Sequence, residues 1–278
     1  MPSQKQKAHT LRKLHQGPDL LVLVNIWDVA SARVIEDLGF PAVATSSAAI
    51  ANSLGYPDGE RISRGEMLET VSRIATAVSV PVTADMEAGY AATPEEMEDT
   101  ARELVVSGAV GLNLEDGYDN ESQLVDVRLQ VEKIEAVREI GERAEVPLVI
   151  NARTDAYWLK DGGDPKAHFA EAVRRAKAYR EAGADCIFVP GLRDPEQIRQ
   201  FLYESPGPLN ILAGAGVPPL DELRKAGVRR VSLGSGPYRA ALGIVMRIGK
   251  ALREAGTYTL MTEYNIPYAD LNELVGAK

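Results

Sequence analysis

The sequence predicts a single (β/α)8 barrel, a TIM barrel, with a short C-terminal helical extension. Three observations predict it. Short apolar runs alternate with longer amphipathic ones through most of the 278 residues. Most of the short runs lack polar alternation, as parallel strands covered by helices do. Charged residues recur where those runs stop, which in a barrel is the active face. A doubly wound open sheet would give a similar alternation. No Gly-x-Gly-x-x-Gly follows the first run, however, which disfavours its dinucleotide-binding version.

The strand candidates are residues 22–25, 42–45, 82–85, 111–115, 148–153, 186–189, 210–213 and 230–233. The first helix candidate, 30–38, stops at Gly39. Ser63 and Glu66 spell a capping box that opens a helix to about residue 78. Thr93-Pro94-Glu95-Glu96 starts the next, with proline at the first helical position, and Gly108 ends it. Residues 123–143 form a longer pattern rich in Glu and Arg. Asp164-Pro165 and Asp194-Pro195 repeat the start signal, and the patterns at 218–226 and 237–255 end in Gly227 and Gly256. Residues 257–278 read as a helical extension carrying Tyr258, Tyr264 and Tyr268. No linker, charge block or low-complexity stretch divides the chain, so residues 1–278 read as one domain.

Hydrophobic residues make up 45% of the chain, enough for a full core. The net charge of -9 argues against nucleic acid, whose protein partners present basic surfaces. It leaves a small anionic partner open, because a bound cation and a local arginine set the field inside a site. Cys186 is the sole cysteine, which fits a reducing compartment. Residues 1–16 read as a polar, basic tail with no signal-peptide core. No apolar run approaches the roughly 20 residues of a membrane helix. The expectation is a soluble, cytoplasmic protein.

The strand ends carry Asn25, Trp27 and Asp28; Thr45, Ser46 and Ser47; Asp85 and Glu87; Asn113, Glu115 and Asp116; Asn151, Arg153 and Asp155; Pro190; Asn210; and Ser235. Carboxylates dominate. His9, His15 and His168 lie elsewhere, which disfavours a Ser-His-Asp triad or a His-built zinc site. Cys186, inside a strand, reads as packed core. Oxygen ligands alone point to Mg²⁺, with Mn²⁺ second. Because Mg²⁺ keeps several waters, one direct carboxylate would suffice.

A lone loop acid is ordinarily solvated or ion-paired, but several acids and an arginine at successive strand ends make a candidate site. Arg153 offers a planar fork matched to a carboxylate, and also neutralises the acids. Ser46 and Ser47 are candidates to bind an anionic group, or simply to make a tight turn. Trp27, Asn113 and Asn210 are further candidates to contact a substrate. The turns Ala213-Gly214-Ala215-Gly216 and Gly234-Ser235-Gly236 stand where many barrels bind phosphate. That raises an aldolase-like reading, although no strand ends in a lysine able to form a Schiff base.

At these residues the chain resembles the isocitrate lyase/phosphoenolpyruvate mutase superfamily. The resemblance rests on residues 25–28, Ser46-Ser47, Leu54-Gly55-Tyr56-Pro57-Asp58, Asp85-Met86-Glu87-Ala88-Gly89-Tyr90, Leu114-Glu115-Asp116, Ala152-Arg153-Thr154-Asp155-Ala156 and Tyr238-Arg239-Ala240. It implies a (β/α)8 barrel, Mg²⁺, and a substrate containing a 2-oxo acid. It implies that Asp85 contacts the metal, with Glu87, Glu115 and Asp58 around it, some through water. Arg153 and the Ser46-Ser47 backbone would hold the 2-oxo acid. The bond broken or formed would be C–C or P–C, next to an enolate. It also implies a homotetramer whose subunit pairs exchange the last barrel helix, here about 237–255.

The departures from the family pattern are specific. Glu87 replaces the second acid of an Asp-x-Asp. The Lys-Lys/Arg-Cys-Gly-His lid of the lyases is replaced by Gly117-Tyr118-Asp119-Asn120-Glu121-Ser122-Gln123, without Cys, Lys or His. Pro190 stands where the lyases carry Glu, and Ile211-Leu212-Ala213-Gly214-Ala215-Gly216 where they carry Asn-x-Thr-Glu-Phe-Gly. Losing a lid acid/base would cost ~10²–10⁴ in rate unless Tyr118, Tyr90 or Glu121 replaces it.

The reading is therefore a Mg²⁺-dependent lyase acting on a small 2-oxo or 2-hydroxy di- or tricarboxylate. Asp85, Glu87, Glu115 and Asp58 serve the metal, and Arg153, Glu115 and Tyr118 serve the chemistry. Decarboxylation of an oxaloacetate-like acid fits, since it needs no lid cysteine. The alternatives are P–C chemistry on phosphonopyruvate and a 2-oxo acid binding protein without catalysis.

Overall fold

The computed structural model describes residues 2–117, 123–160 and 163–276. In chain order its elements are α1 (Gln4–Gln16), β1 (Leu21–Leu23), β2 (Asn25–Ile26), α2 (Val29–Asp37), β3 (Val43–Thr45), α3 (Ser47–Ser53), α4 (Arg64–Ala77), β4 (Val82–Asp85), α5 (Pro94–Val106), β5 (Gly111–Glu115), α6 (Val127–Arg143), β6 (Val149–Arg153), α7 (Pro165–Glu181), β7 (Cys186–Phe188), α8 (Pro195–Glu204), β8 (Leu209–Leu212), α9 (Leu220–Ala226), β9 (Arg230–Ser232), α10 (Gly236–Ala255), α11 (Thr259–Glu263) and α12 (Tyr268–Gly276).

All strand pairs are parallel, in the order β1-β9-β8-β7-β6-β5-β4-β3-β2. The first predicted strand is two short ones, separated at Val24. Its first half pairs with β9 and its second with β3, so the sheet curls round to a nearly closed barrel. Asn25 stitches that seam. Its Oδ1 accepts from the backbone N–H groups of Leu233 (2.7 Å) and Gly234 (2.9 Å). Its Nδ2 donates to the carbonyl of Thr45 at 2.7 Å. Asn25 therefore serves the barrel's closure.

The helix starts follow their local chemistry. Ser63 with Glu66 and Thr93 with Glu96 both form reciprocal capping boxes, and Pro94 opens α5. Asp164 and Asp194 cap α7 and α8 in front of their prolines. Gly227 and Gly256 end α9 and α10 at φ 96° and 61°, where a side chain would be strained.

Two readings need correction. Residues 1–16 are not a polar tail: α1 begins at a Ser3–Gln6 capping box and buries Ala8 and Leu11 completely. It lies across the N-terminal end of the barrel, where Lys7 Nζ donates to the carbonyl of Val78 and Arg12 Nη2 to that of Leu148. The turn expected after β3 is a helix, α3, capped by the Ser46 hydroxyl.

Period-two alternation sorts the strand side chains. Leu112, Leu114, Ile150 and Ala152 belong to the main apolar core. Asn113 and Glu115 on β5, and Asn151 and Arg153 on β6, alternate with them and stand opposite one another in register. Asp85 is level with Asn113. Parallel pairing thus brings acids and the arginine from separate strands to one end of the barrel. Among the described residues no helix is long and apolar enough to cross a membrane.

Candidate active site

Asp85 ends β4 and is buried. Its Oδ2 accepts from the Ser47 backbone N–H at 3.0 Å and from the Ser47 hydroxyl at 2.8 Å. Its Oδ1 accepts from Asn113 Nδ2 at 3.1 Å. The two serines therefore have separate tasks: Ser46 caps α3, and Ser47 fixes the carboxylate.

Glu87 follows in a strained turn. Glu87, Tyr90 and Glu60 all have φ between 52° and 53°, the left-handed region that costs non-glycine residues ~1–3 kcal/mol each. Hydrogen bonds hold the three together. The Glu60 N–H donates to Glu87 Oε2 (2.5 Å), the Tyr90 N–H to Glu60 Oε1 (2.7 Å) and the Tyr90 hydroxyl to Glu87 Oε1 (3.1 Å). Gly89 is required between them, since a Cβ there would meet Met97 Sδ at 2.5 Å. Burial pushes the Glu87 carboxyl up to about 7; the Glu60 N–H opposes this, and the charges of Asp85 and Asp58 add to it.

Arg153 is gripped by two acids. Its Nη1 lies 2.5 Å from Glu115 Oε2. Its Nε and Nη2 donate to the two oxygens of Asp155, at 2.6 and 2.9 Å. Its guanidinium carbon lies 4.7 Å from the centre of the Trp158 ring, a cation–π contact. Burial opposes the Arg153 charge, but Asp155 and Glu115 outweigh it and hold the group above its ordinary value. Glu115 moves up as well: burial lifts it well above the usual carboxylate range against the pull of Arg153, and Asp155, Asp85 and Glu87 reinforce the rise. Glu115 and Asp155 thus share the Arg153 guanidinium.

Asp116, adjacent to Glu115 in sequence, has a different task. Fully buried, it accepts from the Asp155 N–H (2.9 Å), the Tyr179 hydroxyl (2.6 Å) and Arg175 Nη1 (3.1 Å). It positions the Asp155 that positions Arg153. Gly117 makes room for this, as a Cβ there would stand 2.4 Å from Asp155 Oδ2.

Asp58, Glu87, Tyr90, Glu115, Arg153, Asp155 and Trp158 all line one cavity of about 750 Å³. Its wall includes Glu60, Glu96 and the buried Lys133, whose Nζ donates to the carbonyl of Ala88 at 3.2 Å. Asp58 is exposed at the rim; crowding by protein atoms raises its carboxyl, and the Asp85 charge adds to that. Trp158 and Lys133 were missed by the sequence reading; an aromatic three residues past Asp155 was the available signal for the first.

Several candidates, the buried Asp85, Ser46 and Ser47 included, do not line this cavity. Asn210 is fully buried inside the barrel, donating to the Ser232 hydroxyl at 3.1 Å. Asn113 is buried beneath Asp85. Trp27 packs edge-on against Tyr238 at 5.2 Å. Asn210, Asn113 and Trp27 each contact another side chain of the protein instead. Tyr118 and Glu121 lie outside the described residues. A second cavity, about 610 Å³, lies at the opposite end of the barrel between α1 and the turn before β3. Its lining is mainly apolar, with Lys13 and Asp19 as its charged groups, in contrast to the acidic mouth.

The donor set fits a hard divalent cation held largely through water. Among the described residues no three Asp, Glu, His or Cys side chains are gathered closely enough to chelate a metal directly. Instead the charge of Asp85 adds to the rise at Asp58, Glu87 and Glu115, while Arg153 opposes that rise at Asp58 and Glu115. Mg²⁺ suits such an arrangement, because it retains waters and binds through one or two carboxylates.

These features define an α/β barrel whose mouth gathers carboxylates around an arginine. The phosphoenolpyruvate phosphomutase family model matches residues 11–253, and the chain belongs to that family, within the phosphoenolpyruvate mutase/isocitrate lyase superfamily. Its curated relatives include an uncharacterised protein of Mycobacterium tuberculosis, 34% identical over 92% of each chain. A 2-methylisocitrate lyase of Bacillus subtilis is 30% identical, over 92% of this chain and 84% of its own length. An oxaloacetate decarboxylase of Bradyrhizobium diazoefficiens is 30% identical, over 90% and 86%. Among solved structures, a candidate lyase/mutase of Burkholderia cenocepacia superposes with a TM-score of 0.91, at 33% identity over 99% and 98% of the two chains. A phosphonopyruvate hydrolase solved with oxalate and Mg²⁺ superposes with a TM-score of 0.83, at 26% identity over 97% and 95%. The superfamily comprises lyases and mutases acting on small carboxylates.

Proposed function

We propose that the chain is a Mg²⁺-dependent lyase that cleaves a carbon–carbon bond of a small 2-oxo or 2-hydroxy di- or tricarboxylate through an enolate. An oxaloacetate-like acid makes the fewest demands on the site. The observation that carries this reading is the Arg153 fork, oriented by Asp155 and Glu115 in a cavity otherwise rich in carboxylates. A guanidinium has five N–H donors. Asp155 takes two and Glu115 lies against a third, which leaves two for a ligand carboxylate.

In decarboxylation of such an acid the bond to the distal carboxylate breaks. CO₂ leaves, and the electron pair passes into the enolate of the 2-oxo acid, which then takes up a proton. Bound at Asp85, with Glu87, Glu115 and Asp58 around it, Mg²⁺ would supply Lewis-acid stabilisation of the charge that develops on the 2-oxo oxygen. Arg153 binds and orients the retained carboxylate. Ser47 and Asn113 keep the Asp85 carboxylate fixed. We assign the proton donor to Tyr118 from its place after β5, because the Tyr90 hydroxyl already donates to Glu87.

The test is Mg²⁺-dependent turnover, after a thermal-shift screen of pyruvate, glyoxylate, oxaloacetate, 2-oxoglutarate and phosphonopyruvate. The expected result is pyruvate from oxaloacetate, or glyoxylate from an isocitrate-like acid. Phosphate released from phosphonopyruvate would replace this reading with P–C chemistry. A Mg²⁺-dependent shift without turnover of any acid would make the chain a binder.

The reading includes a homo-oligomer, most simply a tetramer of helix-exchanging pairs. It is supported by α10, a 20-residue helix of which only Tyr238 is buried. Leu242, Val245, Met246 and Leu252 on one side of it are exposed. Sedimentation of Met246→Glu should show smaller species than the parent; an unchanged distribution refutes this assembly.

A further inference from the structure

Arg230 on β9 is fully buried inside the barrel. Its hydrogen-bond partners are neutral. Nη2 donates to Asn113 Oδ1 at 3.1 Å, and Nη1 lies 3.3 Å from His15 Nε2. His15 Nδ1 lies 2.8 Å from the carbonyl of Leu11, so that nitrogen carries the proton and Nε2 accepts from Arg230. Burial, aided by the Arg230 charge, pushes the His15 ring down to about 4, which keeps it neutral. A guanidinium buried without a carboxylate partner is costly, and its position beneath the mouth calls for a function.

We propose that Arg230 is a positioning residue for the metal-binding carboxylate Asp85, acting through the side-chain amide of Asn113. This rests on the assignment of Asp85 made above. Asn113 Oδ1 accepts from two donors, Arg230 Nη2 and Asn151 Nδ2, the latter at 2.8 Å. Turning the amide over would set its NH₂ group against both. Its Nδ2 is thereby committed to Asp85 Oδ1. Ser47 already gives two hydrogen bonds to Oδ2, whereas Oδ1 receives one, so Oδ1 is the oxygen with a lone pair to spare for a cation. The Asn151 amide, its own oxygen unpartnered, could turn over together with Asn113, whereas a guanidinium can only donate, so Arg230 sets, at one remove, the oxygen that meets the metal. No aliphatic residue at this position could fix the orientation of the amide.

The experiment is a double-mutant cycle on the full chain, read by titration with Mn²⁺ alone and by thermal melting. Arg230→Met should weaken Mn²⁺ binding about tenfold when Asn113 is present, and less than about twofold in an Asn113→Ala background. Arg230→Lys, which keeps a charged donor, should restore part of the affinity. If Arg230→Met does not fold, Arg230→Gln carries the same comparison, being uncharged and too short to reach the amide. Equal effects in both backgrounds would mean that the Arg230 charge acts directly, and would overturn the relay. So would a shift in melting temperature with Mn²⁺ affinity unchanged, since that is a purely structural role. A parent chain that binds no Mn²⁺ would instead overturn the metal assignment, and the relay with it.

Discussion

Asp85→Ala should abolish measurable Mg²⁺ and Mn²⁺ binding and lower turnover by at least ~10³. A cation's Lewis-acid contribution is several kcal/mol, and about 4 kcal/mol corresponds to that factor. The size of the effect follows from geometry. Asp85 is held by three hydrogen bonds from two other elements, and it exerts its charge on Asp58, Glu87 and Glu115 alike. Glu87 is held in its own strained turn by hydrogen bonds from Glu60 and Tyr90. Glu115 is drawn to Arg153. The fold should survive, since the substitution also removes one of several mutually repelling acids. Calorimetric titration with Mn²⁺ checks the binding, and an affinity within threefold of the parent would reject Asp85 as the principal ligand.

Arg153→Ala should lower affinity for oxalate or pyruvate by about 10²–10³, and should also destabilise the protein by ~3–5 kcal/mol. Two costs combine here. The ligand loses a charged, pre-oriented fork. Glu115 and Asp155 lose their shared cation and become largely buried acids without it. The two effects separate in Arg153→Lys, which retains a charge for the acids but not the planar fork. Lysine should recover more of the stability than of the ligand affinity. Urea unfolding and ligand titration on the three proteins make the comparison. Parental oxalate affinity in Arg153→Ala would remove the arginine from the binding site.

Most of the helix boundaries were legible because their causes are local. A Ser63–Glu66 or Thr93–Glu96 pair satisfies backbone groups within one turn of itself, wherever the rest of the chain lies. The convergence of Asp85, Glu115 and Arg153 was legible for another reason. Once the strands are parallel and in register, every strand end belongs to the same rim. The α1 helix was not legible, since its apolar residues become meaningful only against the barrel end they cover. Nor was α3, a seven-residue helix whose Ser46 cap also reads as a turn.

Neighbouring residues at the strand ends divide most sharply. Glu115 and Asp116 are adjacent acids, yet one turns to the cavity and the other to Tyr179 and Arg175 on α7. Asn113 and Asn210 are the same residue type at comparable strand positions, yet one contacts Asp85 and the other Ser232. Residue type, spacing and strand direction were enough to specify a barrel and the rim at which these acids and the arginine gather. Which of those groups face the cavity, which serve only to hold another, and why a guanidinium lies buried beneath them were decided by packing between elements far apart in the chain. Local patterns encode hydrogen bonds within a turn, but a side chain's partner across a barrel exists only once the barrel has closed.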